Sequence, residues 1–359
     1  MSQLSLKSLS KSYGAFKVFN DLNLDAEAGE IVVVFGGSGT GKTILLRLIA
    51  GVEDPTSGTL ELNGEDMTDV PPERRNVGMA FQNFALFPHM SARENIAAPL
   101  RARAATETAM NAGIDRVAKL LKIDRVLGHA PRELSNGQKQ RTSLARALAA
   151  EPKFLLLDDP LRNVDAKLRY EMRLELPRLL RQSGATVLYV TQDYKEAMAL
   201  ADRIAVLQGG KFVQVATPKD IYERPATLQV AKLFGDPVIN TLDMTLKQAG
   251  KSVLATVPGL GLAIDGDFHS YLGRPVVMAI RPDAVTLNTS TAGIPAKVMA
   301  ITPLNERTVI LLQAQNGWEF LVSLPSSSQP PKTDSQVTAV FNGADMHFFD
   351  KETGNRLHG

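Results

Sequence analysis

The segment from Gly36 to Thr43 contains the residues that most directly indicate chemistry. It reads GGSGTGKT, which fits the pattern G-x-x-x-x-G-K-[ST], and it lies between the apolar run EIVVVF and the helical run ILLRLIAG. Glycines let backbone N–H groups turn toward a phosphate, a lysine can reach the outer phosphates, and a threonine hydroxyl can bind Mg²⁺. A glycine-rich turn with a solvated lysine is the alternative, and the position at a strand-to-helix junction argues against it. The pattern therefore predicts an ATP-binding loop made of Gly36, Gly37, Ser38, Gly39, Thr40, Gly41, Lys42 and Thr43.

Two adjacent carboxylates, Asp158 and Asp159, follow a second apolar run, KFLLLD. An acid at the end of a strand, combined with a phosphate-binding loop, is expected to anchor the Mg²⁺ shell, and Asp158 has this position. Without that loop, an acid after a strand is usually a solvated turn. In a nucleotide hydrolase the next residue handles the attacking water, so the short side chain of Asp159 raises the question of whether the chain hydrolyses ATP alone.

Composition excludes several classes of protein. The 359 residues are 44% hydrophobic and 22% charged, with a net charge of +2, so no overall charge attracts nucleic acid or an acidic membrane. The absence of cysteine excludes disulfides and thiolate metal sites. We find neither a signal-peptide pattern nor an apolar run long enough to span a bilayer, so a membrane role would require a separate membrane subunit.

The distribution of apolar residues predicts an α/β domain followed by an all-β domain. Strand-like runs alternate with amphipathic helical stretches over residues 1–235, which is typical of a layered α/β sheet. Helix signals dominate residues 91–133, beginning with Ser91 and Glu94 as a capping box, and indicate an inserted helical subdomain. Short strands separated by Gly, Pro, Asn and Ser predict a small β barrel or sandwich over residues 236–359.

A third motif, LSNGQKQRTSLARALAAEP at 134–152, precedes the second apolar run. Ser135 is placed to begin a helix, where its hydroxyl and the free N–H groups could hold a phosphate. With PPERRNVGMAFQ, DPLRNVDAKLR and VTQDYKEAM, this motif resembles the ATPase subunits of ABC transporters. The β-rich tail makes the chain similar to the carbohydrate-importer branch, the maltose-type and glycerol-phosphate-type ATPases. The resemblance implies a P-loop NTPase cassette with a helical subdomain and a C-terminal OB-like (TOBE-type) regulatory domain.

The resemblance also implies roles for individual residues. Tyr13 would stack on the adenine with Val18 beside it, although an exposed aromatic is otherwise often plain packing. Gln82 would join Thr43 and Asp158 around Mg²⁺. The family's signature residues would contact the γ-phosphate of ATP held by the opposite subunit, and here they are Ser135, Gly137 and Gln138.

The stretch NFALFPHM, residues 83–90, lies beside Gln82. In the family that the chain resembles, this stretch and the helical subdomain form a groove for a short cytoplasmic helix of the membrane subunit. The alternative is ordinary subdomain core, since Phe and Leu at these spacings pack in any case.

Four positions depart from the family pattern on its catalytic loops. Asp159 replaces a glutamate, and Gln192 replaces a histidine that has proton chemistry which an amide lacks. Asn136 replaces a glycine of the signature, and Arg162 replaces a small serine. A general base must lie within hydrogen-bond reach of its water, and a side chain shorter by one methylene forfeits much of that contribution. We therefore expect ATP binding with poor hydrolysis, against the alternative of harmless drift.

These inferences predict an ATP-binding subunit of an ABC importer for a carbohydrate or polyol, peripheral on the cytoplasmic face of the inner membrane. Its expected partners are two integral membrane permease subunits, a substrate-binding protein reached indirectly, and a second ABC ATPase of a different chain that completes a heterodimer. Nucleic acid is not an expected partner. An active homodimer, a soluble ABC ATPase acting on nucleic acid or ribosomes, and a regulatory protein that uses ATP as a clamp are the alternatives.

Overall fold

The chain forms two compact units, one ending at Lys219 and the other beginning at Asp220. A computed structural model describes residues 3–250, 252–264, 266–288 and 293–358. The sequence places the boundary later, after residue 235. The difference arises because Arg281 of the C-terminal unit donates hydrogen bonds to the carbonyls of Tyr222 and Ala231, so the residues before 235 pack with that unit.

The N-terminal unit contains strands and helices in alternation. In chain order they are β1 Leu4–Tyr13, β2 Phe16–Ala26, β3 Ile31–Phe35, α1 Lys42–Ala50, β4 Ser57–Leu62, β5 Glu65–Asp66, β6 Val77–Ala80, α2 Ala92–Ala102, α3 Glu107–Leu120, α4 Asn136–Ala149, β7 Phe154–Asp158, α5 Ala166–Ser183, β8 Thr186–Thr191, α6 Tyr194–Leu200, β9 Arg203–Gln208 and β10 Lys211–Ala216.

A six-stranded sheet positions the candidate site. Its order is β10-β9-β3-β8-β7-β6, with all neighbours parallel except the edge strand β10. Strands β3, β7 and β8 are buried along their whole length, which agrees with their continuous apolar sequences, because parallel strands are covered on both faces. The two apolar runs identified in the sequence, EIVVVF and KFLLLD, contain strands β3 and β7.

A second sheet, in the order β2-β1-β4-β5, is antiparallel. Its apolar side shares a core with helix α1 and with strands β3, β7 and β8. Phe19 and Leu22 are fully buried in that core. This sheet therefore supports the loop between β3 and α1 from the side.

Helices α2 and α3 lie in the segment for which the sequence predicts a helical subdomain. Ser91 and Glu94 form the predicted capping box at the start of α2. The fully buried Asn95 exchanges hydrogen bonds with the backbone of Phe87 and also donates to the carbonyl of Met90. One buried amide therefore ties the segment before α2 to the helix, since its polar groups all find partners there.

The C-terminal unit is built from antiparallel strands and two short helices. In chain order they are α7 Pro218–Glu223, which crosses the unit boundary, α8 Leu228–Leu233, β11 Asn240–Ala249, β12 Ser252–Val257, β13 Leu260–Ala263, β14 Pro275–Ile280, β15 Val285–Asn288, β16 Ile294–Pro303, β17 Arg307–Ala314, β18 Glu319–Pro325, β19 Gln336–Phe341 and β20 Met346–Asp350.

These strands form two five-stranded sheets, ordered β13-β12-β11-β14-β20 and β15-β19-β16-β17-β18. The apolar residues of both sheets meet in one core that includes Val276, Met278, Ile310 and Phe348. The predicted OB-like all-β domain is confirmed. No helix within the described ranges is both long enough and apolar enough to cross a bilayer.

A buried arginine offers a test of how the N-terminal unit is held together. The Arg75 guanidinium, 3% exposed, donates to the carbonyls of Leu48 and Ile49 at the end of α1 and to those of Val70 and Thr68. Arg75→Met leaves these acceptors without donors, so we expect a loss of about 2–4 kcal/mol in unfolding free energy, measured by calorimetry.

The matched control is Arg47→Met on α1. The Arg47 side chain is 48% exposed and pairs with Glu53 at 3.3 Å, and exposed pairs contribute little, so this change should cost under about 1 kcal/mol. Equal losses from the two substitutions would contradict the role given to Arg75.

Candidate functional site

A polar cleft of about 250 Å³ lies at the carboxyl ends of β3, β7 and β8, and we call it the nucleotide cleft. Because these strands are parallel neighbours, the residues that follow them meet at one edge of the sheet. The side chains predicted from three distant motifs are thereby brought together. The lining residues are Ser38, Gly39, Gly41, Lys42, Thr43, Ile44, Gln82, Asp158, Asp159, Arg162 and Gln192.

The loop backbone requires glycine at two of its positions. Gly41 has φ +97°, and a Cβ there would lie 2.7 Å from side-chain atoms of Phe19 and Val18. A Cβ on Gly36 would lie 2.7 Å from the carbonyl oxygen of Leu207. By contrast, a Cβ on Gly37 meets no atom within 4 Å. The loop is thus pressed against its neighbours on one side, which leaves its other side to face the cleft.

Lys42 is the cation of the loop, and its side chain is buried. Its Nζ donates to the carbonyl oxygens of Gly36 at 2.8 Å and Gly37 at 2.6 Å. Burial lowers the pKa of Lys42, while the carboxylates of Asp159 and Asp158 act in the opposite direction. A buried ammonium held between carbonyls at a helix N-terminus is suited to a phosphate group.

Thr43 and Asp158 form the second part of the site. The Thr43 hydroxyl donates to Oδ1 of Asp158 at 3.0 Å, and burial raises the pKa of the Asp158 carboxyl. The Gln82 side chain lines the same cleft, and its backbone carbonyl is held by Asn163 Nδ2 at 3.0 Å. A hydroxyl, a carboxylate and an amide oxygen are ligands that Mg²⁺ takes together with phosphate oxygens, so these residues fit that ion.

Asp159 lies beside this pair and is held by three side chains. Gln192 Nε2 and Thr191 Oγ1 donate to its carboxylate, each at 3.4 Å, and Arg162 Nη1 lies 3.8 Å from Oδ2. Burial raises the pKa of Asp159, and Gln192 and Arg162 act against that rise. Of the four departures from the family pattern, those at positions 162 and 192 therefore both contact the one at position 159.

The signature residues lie at the start of α4. Ser135 Oγ accepts from the N–H of Gln138 at 3.3 Å, and Gln138 Oε1 accepts from the N–H of Ser135 at 2.9 Å. A Cβ on Gly137 would lie 2.3 Å from Leu168, so the helix start is packed closely against α5. None of these three residues lines the nucleotide cleft of its own chain.

Tyr13 and Val18 lie on β1 and β2. The Tyr13 ring is 46% exposed, and its hydroxyl donates to the Glu53 carboxylate. Val18 is buried against the loop, close to Gly41. Tyr13 is accessible for stacking, while Val18 supports the loop backbone.

An apolar groove of about 420 Å³ adjoins the segment 83–90 and includes Phe81, Phe87 and Pro99 in its lining. Phe84 and Ala85 have positive φ values of 64° and 45°. Arg146 of α4 donates to the carbonyls of both, and Ser143 donates to Phe84. The signature helix thereby holds a strained segment at the groove.

Sequence reasoning missed a buried network behind Asp159. Glu196, 1% exposed, accepts from the hydroxyls of Tyr189 at 2.7 Å and Thr191 at 3.0 Å, and burial raises its pKa to about 7. Thr191 reads as the last residue of a strand, and Glu196 as one polar residue of a helix. No local signal could have linked them to the cleft.

The loop geometry predicts that alanine substitutions at two glycines have very different effects on ATP affinity. Gly41→Ala places a methyl group against Phe19 and Val18 at a positive φ, so we expect ATP affinity to fall at least about tenfold, measured by calorimetric titration. Gly37→Ala meets no protein atom and should bind ATP like the parent chain. Similar affinities for both variants would contradict the proposed loop conformation.

Comparison with known proteins agrees with this geometry. Residues 19–162 match the ABC transporter family and residues 278–349 match the TOBE domain family. The chain is 38% identical over 364 residues to the sn-glycerol-3-phosphate import ATP-binding protein of Yersinia pseudotuberculosis, covering 99% of each chain. It is equally identical to the protein of that name from Salmonella typhimurium, covering 99% of this chain and all of the relative. The chain therefore belongs to the family of ATP-binding subunits of ABC importers.

Proposed function

We propose that this chain binds ATP with Mg²⁺ and powers an importer for a polyol or carbohydrate, with glycerol phosphate as the first candidate solute. The full-length similarity to sn-glycerol-3-phosphate import proteins supports that solute. The chain would lie on the cytoplasmic face of the inner membrane, bound to two permease subunits, and would meet a substrate-binding protein only through them.

The nucleotide cleft is the observation that carries this proposal. Lys42 would neutralise the outer phosphates, while Thr43 and Asp158 would hold Mg²⁺, which neutralises charge on those phosphates when bound. Gln82 would complete the metal shell. Because Gln82 lies next in sequence to residues that line the apolar groove, it would transmit changes at the nucleotide to the permease. The groove, shaped by Phe81, Phe87 and Pro99, suits a short amphipathic helix.

A transport assay tests this proposal. We expect the chain to co-purify with two integral membrane subunits, and the reconstituted complex to take up glycerol 3-phosphate only with ATP. Lys42→Ala should stop uptake because it removes the charge that faces the phosphates, whereas Gly37→Ala should preserve it. A complex that takes up maltose but not glycerol 3-phosphate would rule out the solute, and failure to recover permease subunits would rule out the importer role.

We also propose that the chain hydrolyses ATP poorly by itself. A base at position 159 must accept a proton from water, but the Asp159 carboxylate is short and already accepts hydrogen bonds from Gln192 and Thr191. Arg162 adds a positive charge 3.8 Å away, which stabilises the anion and makes it a weaker base. These contacts occupy lone pairs that would otherwise be available to accept a proton from water.

The proposed dimer follows from the position of the signature. Since Ser135, Gly137 and Gln138 lie outside their own cleft, a second chain would supply them to this one. Two identical chains would repeat Asp159 and Gln192 in both sites, because two-fold symmetry copies each residue. A different partner with glutamate and histidine would form one competent site with this chain's signature. The similarity to known proteins does not indicate a second ATPase of a different chain. The proposal of an asymmetric pair therefore rests on the contacts of Asp159 alone.

Steady-state ATPase rates decide between the two dimers. We expect a low rate for the parent chain alone, and a rate about 10²-fold higher for Asp159→Glu combined with Gln192→His, since a positioned base contributes that much. Asp159→Asn, which removes the carboxylate at constant size, should leave the low rate almost unchanged. A high rate in the parent chain alone, abolished by Asp159→Asn, would establish an active homodimer.

A further inference from the structure

The C-terminal unit has a charged cleft of about 480 Å³, which we call the arginine cleft because Arg281 and Arg356 line it together with His347. A smaller cleft of about 200 Å³ adjoins it, shares Arg356 and His347, and adds His358. Both are confined to the C-terminal unit and include no residue of the ATP-binding loop. Apart from the backbone hydrogen bonds of Arg281 described above, no role proposed so far uses these side chains.

Arg281 is a buried cation with an unmatched donor. Its side chain is 5% exposed, and its two Nη atoms donate to the carbonyls of Tyr222, Ala231 and Phe234. Its Nε has no hydrogen-bond partner among the described residues. Within those ranges no carboxylate lies within 4.0 Å of its guanidinium nitrogens. The guanidinium carbon lies 4.1 Å from the centre of the Tyr222 ring, and the charge of Asp283 also acts on it, but no carboxylate is paired with it directly. A buried guanidinium without a paired carboxylate leaves positive potential at the cleft.

Arg356 and His347 extend this positive region. Arg356 Nη2 donates to Nδ1 of His347 at 3.3 Å, and no carboxylate in the described part of the chain forms an ion pair with Arg356. Because an arginine always donates, Nδ1 must accept, so the neutral ring carries its proton on Nε2. Burial and then the charges of Arg356 and Arg281 lower the pKa of His347 to about 4. The ring is thus a neutral N–H donor beside two cations.

The acidic residues of the cleft restrict what could bind. Glu223, Asp283 and Asp345 also contribute to the lining and would repel a bare anion. Asp283 accepts from the Tyr222 hydroxyl at 3.4 Å, and Asp345 accepts from Asn342 Nδ2 at 3.0 Å. Each carboxylate has further lone pairs that can accept from hydroxyl groups. The cleft therefore offers donors for a phosphate and acceptors for hydroxyls.

We propose that the arginine cleft binds a phosphoryl dianion, free or as the ester of a small polyol. Arg356 and the Nε2–H of His347 supply the donors, Arg281 adds positive charge, and a planar guanidinium matches phosphate oxygens. Hydroxyl groups of the ester would contact Asp283 and Asp345. The volume is in the range of small-molecule sites and exceeds what a phosphate alone fills, which favours the ester.

Calorimetric titration of the full-length chain tests this site, with glycerol 3-phosphate, inorganic phosphate and glycerol as separate probes. The chain carries Lys42→Ala throughout, so that the ATP-binding loop does not contribute. We expect both phosphates to bind and glycerol not to bind. Arg356→Gln should weaken phosphate binding at least about tenfold, because a charge-assisted contact is lost.

The matched control is Arg274→Gln, in the same unit but exposed and outside the cleft lining, and it should leave affinity unchanged. Tighter binding of the ester than of inorganic phosphate would support the proposed contacts between its hydroxyl groups and the carboxylates. Equal affinities would identify free phosphate as the ligand. Absence of binding, binding of glycerol alone, or equal affinity in Arg356→Gln and its parent would overturn the proposal.

A second measurement does not depend on how the Arg356 variant folds. His347 is one of 5 histidines, so ¹³C-labelled histidine gives few NMR signals, and His347→Gln identifies the relevant one. A bound dianion stabilises the imidazolium, so phosphate should raise the His347 pKa from about 4 in the otherwise unchanged chain. A pKa that does not move at millimolar phosphate would overturn the site independently of the ATP-binding function.

Discussion

Parallel pairing of β3, β8 and β7 is the constraint on which the nucleotide cleft depends. The ladder continues past the strands: the N–H of Gly36 donates to Thr191 at 3.4 Å, and the N–H of Asp159 donates to Val190 at 2.9 Å. These hydrogen bonds fix where the loop, the two carboxylates and Gln192 lie relative to one another at the sheet edge. Because parallel strands end at the same edge, residues more than a hundred positions apart converge there. A shift in register would separate them.

The buried charges of the nucleotide cleft stabilise one another. Burial lowers the pKa of Lys42 and raises the pKa values of Asp158 and Asp159, and each group is stabilised in its charged form by its neighbours of opposite sign. In the same cleft, Asp159 is tied to Gln192 and Arg162. Binding and hydrolysis therefore place different demands on one carboxylate, and this difference is the basis of the proposed slow hydrolysis.

Two buried arginines show how similar environments lead to different roles. In the N-terminal unit, Arg75 directs Nε and both Nη atoms to backbone carbonyls, so every nitrogen is occupied and the residue stabilises the fold. In the C-terminal unit, Arg281 uses only its Nη atoms in this way. Its buried Nε has no acceptor in the described part of the chain, and the side chain lines a cleft. This incompletely satisfied cation, in the same cleft as Arg356, is the basis of the proposed phosphoryl site.

The sequence by itself determined the ATP-binding loop, the core strands, the helix that begins at Ser135 and the β-rich second domain, because each follows from local spacing and chain conformation. Resemblance to a family added Gln82 and Gln192. Only the tertiary structure decided that Arg162 and Gln192 both contact Asp159, and that Thr191 and Glu196 lie behind it.

The same distinction holds for the second unit. Arg281, His347 and Arg356 carry no motif and lie far apart in the chain, so nothing local predicts that they line one cleft. The compact units divide at residue 219 and not after 235 for a related reason, since hydrogen bonds from Arg281 join residues 222–234 to the β domain. Local conformation can be inferred from neighbouring residues, but contacts between distant segments depend on strand pairing and burial, which only the folded chain establishes.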